Sequence, residues 1–352
     1  MSSMIRIGMV GGGYMGQLAH LANYAQLENV QVVALAEGRP EQARLVAQRY
    51  GIPKVYANHR EMLDGSAHEL DAVVAIMGFG LHHAVVPDIL KAKKHLITEK
   101  PICVRTDTAE SLAGLARQQG VVYQVGYMKR FDPGTRTAKA QLDDWRASGK
   151  AGKLRYARMT AAMTDWMWGV EKPINSKEPY PDYEDEKPEP APAWMSEEQG
   201  KQYHSFVNFW IHQVNLMRHL LGEPYGLKYV SRNGLLMVAE SAGGVPVTFE
   251  LHTNRIKNQW EERFTLCFEK AQLDLNLHAP LHRQAPGEVQ VRTEGEHGPV
   301  ETRPFTGNGW AFFEQARLFT ASLRGEAPVL SPALEAVEDL RIAEQFIQLS
   351  KP

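Results

Sequence analysis

With 352 residues, 43% of them apolar and 23% charged, the chain is long enough for two domains with sizeable cores and unlike a disordered one. Lys and Arg total 39 against 41 Asp and Glu, so no overall field recruits nucleic acid or an anionic membrane. Two cysteines, Cys103 and Cys267, exclude a disulfide framework and a four-thiolate metal site, and they fit a reducing, cytoplasmic compartment. No apolar run approaches the roughly 20 residues of a membrane span. The first ten residues lack the longer apolar core of a signal peptide. The expectation is a soluble protein acting through a pocket or a surface.

Taken in chain order, residues 5–10 read as a buried strand and 15–26 as a helix. Residues 30–36 form a second strand, followed by a helix over 41–50 that stops at Gly51. The uninterrupted apolar run 72–76 is a strand buried on both faces, as parallel strands are. A helix over 84–92, a strand over 95–98, a helix over 108–118 and a strand over 121–125 complete the series. Alternation of this kind means βαβ units and a parallel sheet. After Gly126 the rhythm changes to a helix over 133–148, a strand over 153–163 and a helix over 206–221 ending at Gly222. Period-two strands follow over 247–251, 264–268 and 273–277, with a mainly helical end over 309–349. Between them, residues 164–202 are dense in Pro, acids and aromatics (Trp166, Trp168, Tyr180, Tyr183, Trp194), too long for an ordinary loop. The acidic run Glu184-Asp185-Glu186 reads as a solvated loop. The organisation predicted is an α/β Rossmann dinucleotide-binding domain over 1–125 and an α+β domain with a largely antiparallel open sheet over 126–352.

Gly11-Gly12-Gly13-Tyr14-Met15-Gly16 fits G-x-G-x-x-G between the first strand and first helix. Glycines there permit a tight turn and close approach of backbone to a pyrophosphate, with helix N–H groups facing the anion. Glu37 ends the second strand about 20 residues on, where a carboxylate takes ribose hydroxyls. The cofactor residues predicted here are Gly11, Gly13, Tyr14, Met15, Gly16 and Glu37. Glu37 repels a 2′-phosphate and argues for NAD; Arg39, two residues on, would pair with that phosphate, so NADP is the less favoured choice.

Glu99-Lys100-Pro101 stands at the carboxyl end of the strand beginning at His95, where ligands of open α/β sheets bind. Glu99 and Lys100 join the cofactor set. Lys100 is the candidate catalytic acid/base, able to exchange the proton of a carbinol while hydride moves to a nicotinamide.

These motifs resemble the Gfo/Idh/MocA family, which includes glucose–fructose oxidoreductase and inositol dehydrogenases. The resemblance extends to Gly126-Tyr127-Met128-Lys129-Arg130-Phe131-Asp132-Pro133, matching G-Y-x-x-R-F-x-P. It also covers a D-x-x-x-H-x-x-D helix before Leu221-Gly222, and Phe312, Phe319, Arg324 and Glu326 near the end. The chain departs from the family at Gly78–His83, where only His83 matches T-P-N-x-x-H, and at Asn208 and Asn215, which replace both aspartates around His212. The likeness implies His83 near the nicotinamide and His212 as a second catalytic and substrate-binding group.

Positions 208, 212 and 215 are spaced i, i+4 and i+7, as on one helix face presenting two amides and an imidazole to a polyol. Asparagine carries no proton, which shifts the acid/base role toward Lys100. Arg130 and Lys129 would bind an anionic group, or Arg130 would serve as a structural arginine pairing with Asp132 or backbone; Trp166 and Trp168 would stack against a sugar or pack at a subunit interface. No metal-ligand spacing occurs, so no metal is expected. The leading reading is an NAD-dependent oxidoreductase acting on a secondary alcohol of a sugar, sugar derivative or cyclitol. The alternatives are an NAD-dependent glycoside hydrolase working by transient oxidation, elimination, water addition and re-reduction, and a non-catalytic sugar and cofactor sensor. A homo-oligomer, dimer or tetramer, is expected from the open sheet and the resemblance.

Overall fold

Glycine punctuation and β-branched runs place the first elements where the sequence suggests. The computed structural model describes residues 3–350, save 183–185, 253–255 and 257–258. Two compact units emerge, each from three stretches of chain: Met1–Tyr127, Glu171–Asn208 and Gln315–Leu340 in the first, and Met128–Val170, Phe209–Glu314 and Arg341–Pro352 in the second.

In the first unit, strand β1 (Ile5–Val10) leads through the glycine turn into a π-helical stretch, Gly16–Leu21, and a short helix α1 (Ala22–Tyr24). Strand β2 (Val30–Ala36), helix α2 (Pro40–Tyr50), strand β3 (Lys54–Tyr56), helix α3 (His59–Ser66), strand β4 (Ala72–Ala75) and helix α4 (His82–Lys91) follow. Strand β5 (His95–Glu99), helix α5 (Thr106–Gln119) and strand β6 (Tyr123–Gly126) complete the repeat. All six strands pair in parallel in the order β3-β2-β1-β4-β5-β6. The order reverses between β1 and β4, the switch point beyond whose carboxyl ends such sheets bind ligands. The core joins Ile7, Met9, Leu35, Val46, Val74 and Ile97.

The single boundary expected at 125/126 does not describe the later chain. Ile174 and, from the carboxyl-terminal region, Ala316 and Phe319 pack on that same core. Ser331 O accepts the Val125 N–H at 2.9 Å, so residues remote in sequence extend the first unit.

The second unit holds helix α6 (Pro133–Ser148) and strand β7 (Leu154–Ala162). Helices α7 (Glu197–Phe209) and α8 (Ile211–Leu221) come next in the chain, α7 lying in the first unit up to Asn208. Strands β8 (Tyr225–Val230), β9 (Leu236–Ser241), β10 (Pro246–His252), β11 (Glu261–Phe268), β12 (Ala271–Asn276), β13 (Glu288–Gly295) and β14 (Gly298–Thr302) precede helices α9 (Ala311–Leu323) and α10 (Ala333–Leu349). The sheet order is β14-β13-β12-β11-β7-β10-β9-β8. Every pairing is antiparallel except β7 with β10, so the largely antiparallel sheet of the second unit is present as expected.

Two local expectations change. The helix read as 206–221 starts earlier and is interrupted. Ser196 Oγ accepts the Gln199 N–H at 3.2 Å while Gln199 Oε1 accepts the Ser196 N–H at 2.9 Å, a capping box that starts α7. Trp210 then separates α7 from α8, so the i, i+4, i+7 face through Asn208, His212 and Asn215 is not one helix face. Only His212 and Asn215 share α8. Of the acidic run, Glu184 and Asp185, like Tyr183, lie outside the described residues, and the expectation of a solvated loop does not hold at Glu186. Glu186 has a side chain 9% exposed, 3.6 Å from His59 Nδ1 and 3.7 Å from Arg60.

Candidate active site

The glycine turn is built for close approach. Gly11 holds φ +91°, and a Cβ there would stand 2.0 Å from Ile76 O; at Gly16 it would stand 2.4 Å from Gly11 O. Only glycine fits both positions, and the result brings bare backbone to the mouth of the β1–β4 switch point. Met15 packs against the core and Tyr14 is exposed. Gln17 Nε2 donates to Gly12 O at 2.9 Å, tying the turn to the helix it opens.

Glu37, directly after β2, receives the Gly12 N–H at 2.9 Å. Arg39 grips the same carboxylate, Nε to Oε1 at 2.8 Å and a terminal nitrogen to Oε2 at 2.9 Å. The glycines, the helix N-terminus and the acid therefore fit a dinucleotide.

At the end of β5, Glu99 turns inward to accept from His20 Nε2 at 2.8 Å. Burial pushes the Glu99 carboxyl upward. The His20 hydrogen bond, its charge and the nearby Lys100 ammonium outweigh burial and hold it below the ordinary carboxylate range. A folded-state pKa below the unfolded one stabilises at pH above the unfolded value, and that stability is lost as pH falls through the folded value. Thermal melts recorded from neutral pH down through the carboxylate range should thus show a steeper loss of Tm for the wild-type chain than for Glu99→Gln; parallel curves would contradict the pairing.

Lys100 points the other way. Its Nζ donates to Asn208 O at 2.5 Å, so the amine is held at the carboxyl end of α7. The Lys100–Pro101 peptide is cis. His83, the second residue of α4, is half-buried, its Nδ1 2.9 Å from Gly80 O. Its neighbour His82 is fully buried against Ile102 O at 2.9 Å, and burial pushes it down to about 4, so it stays neutral. The spacing gave no reason to separate these two histidines.

In the second unit, the turn Met128–Phe131 and α8 meet through side chains. Arg130 Nε donates to Asn215 Oδ1 at 2.7 Å, both residues 1% exposed. The arginine expected to hold a substrate anion and the amide expected to hold a hydroxyl thus hold each other. His212, on the same helix, is half-buried. Lys129 pairs with Glu262 on β11, whose other oxygen accepts from Gln213 Nε2 at 2.8 Å. Neither Glu262 nor Gln213 was foreseen; a lone Glu or Gln in sequence carries no sign of its partner. Trp166 and Trp168 follow β7, the first half-buried and the second exposed. Among the described residues, no group of three His, Cys, Asp or Glu is placed to hold a metal ion, and no helix is long and apolar enough to cross a membrane.

A six-stranded parallel sheet with a glycine turn after β1, an acid directly after β2 and a lysine directly after β5 has the form of a dinucleotide-binding unit. Residues 5–127 match the model of the Gfo/Idh/MocA family, described as "Oxidoreductase family, NAD-binding Rossmann fold". The chain is 23% identical to the myo-inositol 2-dehydrogenase of Thermotoga maritima over 68% of this chain and 61% of that protein, short of two thirds of the relative's length. It is 28% identical to the rhizopine catabolism protein MocA of Rhizobium meliloti over 98% of this chain and 94% of that one. The scyllo-inositol dehydrogenase of Lactobacillus casei, solved with NAD(H) and scyllo-inositol, superposes with a TM-score of 0.69 at 17% identity. That match covers 99% of this chain and 97% of the other, a likeness of fold.

Proposed function

We propose that the chain is an NAD-dependent dehydrogenase that oxidises a secondary alcohol of a sugar, sugar derivative or cyclitol. The observation that carries this reading is Lys100, an amine at the carboxyl end of β5 with its Nζ 2.5 Å from a backbone carbonyl, on the sheet that bears the glycine turn. When bound, the nicotinamide supplies a hydride acceptor. In its neutral amine form Lys100 would take the carbinol proton as the C–H bond breaks, and as the ammonium would return it in the reverse direction. The names of the Thermotoga and Lactobacillus proteins, both inositol dehydrogenases, support a polyol as substrate.

In this reading the Gly11–Gly16 turn holds the pyrophosphate and Glu37 the adenosine ribose. The Glu37 carboxylate, at the end of β2, disfavours a 2′-phosphate and so favours NAD. Asn208, whose backbone carbonyl receives Lys100 Nζ, orients a hydroxyl of the substrate. Arg130 and Asn215 brace α8 and so fix where His212 stands.

The test is a panel of cyclitols, aldoses and glycosides incubated with NAD and followed at the reduced-nicotinamide absorbance band. At least one polyol should give stoichiometric reduced cofactor. No reduction by any of them, with NAD demonstrably bound, would overturn simple dehydrogenation. Release of an aglycone without net reduced cofactor would replace it with redox-neutral glycoside cleavage.

A further inference from the structure

Two buried glutamines fasten a remote stretch of chain to the glycine turn. Gln17 and Gln42 are 0% and 1% exposed. Each donates from Nε2 at 2.9 Å to both Gly12 O and Ile174 O. Their Oε1 atoms accept in return, from Ile174 N at 3.0 Å and Ser176 N at 2.9 Å. The Glu178 carboxylate then accepts the N–H groups of Glu41 and Gln42, at 3.2 and 2.9 Å, in the first turn of α2. Acids at a helix N-terminus are stabilised by the dipole and the unpaired donors, so this strap is anchored by more than chance packing.

The strap lays the Tyr180 ring on Arg39, whose guanidinium carbon is 4.0 Å from the ring centroid. The phenol oxygen lies 3.3 Å from where a Cβ on Gly13 would stand. Beneath, Glu37 accepts two side-chain N–H groups of Arg39, the Gly12 N–H and, at 3.2 Å, the Arg39 N–H. Four donors fill the lone pairs of a carboxylate. The Glu37 side chain is 3% exposed and that of Arg39 7%, whereas Tyr180 is 70% exposed. The group that should greet a ribose diol is thus covered by a guanidinium, and the guanidinium by a ring.

We infer that Tyr180 gates the adenosine end of the cofactor site: it holds Arg39 over Glu37, and a dinucleotide reaches the carboxylate only by lifting that stack. The inference rests on the dinucleotide reading above and deepens it. A binding-competent state that is only partly populated weakens apparent affinity by that fraction, so loosening the stack tightens binding. An exposed cation–π contact sets the scale at about three- to fivefold.

The experiment titrates the full chain and its Tyr180→Ala and Tyr180→Phe variants with NAD and with ADP-ribose, which carries the same adenosine half. Tyr180→Ala should bind both ligands about three- to fivefold more tightly and associate faster. Tyr180→Phe keeps the ring and should match the wild type. Tyr180→Phe should keep the wild-type Tm, and Tyr180→Ala should lose no more than the small stabilisation of one exposed cation–π contact. Equal affinity in all three proteins overturns the gate and leaves the cofactor reading standing. Weaker binding by Tyr180→Ala also overturns it, making the ring a clasp on the adenosine. Failure of all three to bind either ligand overturns the cofactor reading itself.

Discussion

Replacing Lys100 with methionine is expected to lower kcat by about 10²- to 10⁴-fold, the range lost when a positioned acid/base is removed. Methionine keeps much of the stem's volume and drops the proton-carrying group. The cofactor determinants at Gly11, Gly16 and Glu37 are untouched, so the Kd for NAD should move far less than kcat even though Lys100 also belongs to the cofactor set. The two readouts separate chemistry from binding. The Lys100→Met chain also loses the 2.5 Å bond to Asn208 O, at the carboxyl end of α7 where several carbonyls already lack helical partners. A kcat within about threefold of wild type, at unchanged affinity, would remove Lys100 from the mechanism.

Truncating Glu262 to alanine should destabilise the chain by about 3–5 kcal/mol, the cost of stranding a buried ammonium. Glu262 has a side chain 0% exposed and Lys129 one 9% exposed, and the carboxylate also anchors Gln213 on α8. Lys129 sits between Met128 and Arg130, so its displacement disturbs the turn that braces α8 through Asn215. Pairing Glu262→Leu with Lys129→Met removes both charges together. That double variant should recover much of the loss, because the penalty belongs to the unpaired charge more than to the pair. Denaturant unfolding measures both. A loss below about 1 kcal/mol for Glu262→Ala would show the lysine reaching water by itself.

The sequence made the first unit readable because its signals are local. Parallel strands buried on both faces leave apolar runs such as 72–76, and Gly11 and Gly16 answer to backbone sterics that no other residue satisfies. Glu37 and Lys100 follow from the same geometry, each at the carboxyl end of a strand. What stayed hidden depends on distance along the chain. Gln17 and Gln42 meet Ile174 across more than 130 residues, and Lys129 meets Glu262 across 133; nothing near any of them in sequence marks the meeting. Buried amides look like surface amides until a partner is known. The Ser196–Gln199 capping box was legible and overlooked, because the proline-rich stretch before it suggested a longer irregular run. The interruption at Trp210 is different: neither Gly nor Pro stands there, and helix propensity gives no account of it.

The central claim is that hydride leaves a carbinol carbon of a polyol for a nicotinamide held by this chain. A substrate from the panel, deuterated at its oxidised carbinol carbon, tests it most directly when the cofactor is recovered and examined by NMR. The account predicts deuterium on carbon 4 of the reduced nicotinamide, in amounts matching the ketone formed. Product formed with the label still on its original carbon, and none at any stage on the cofactor, would contradict it.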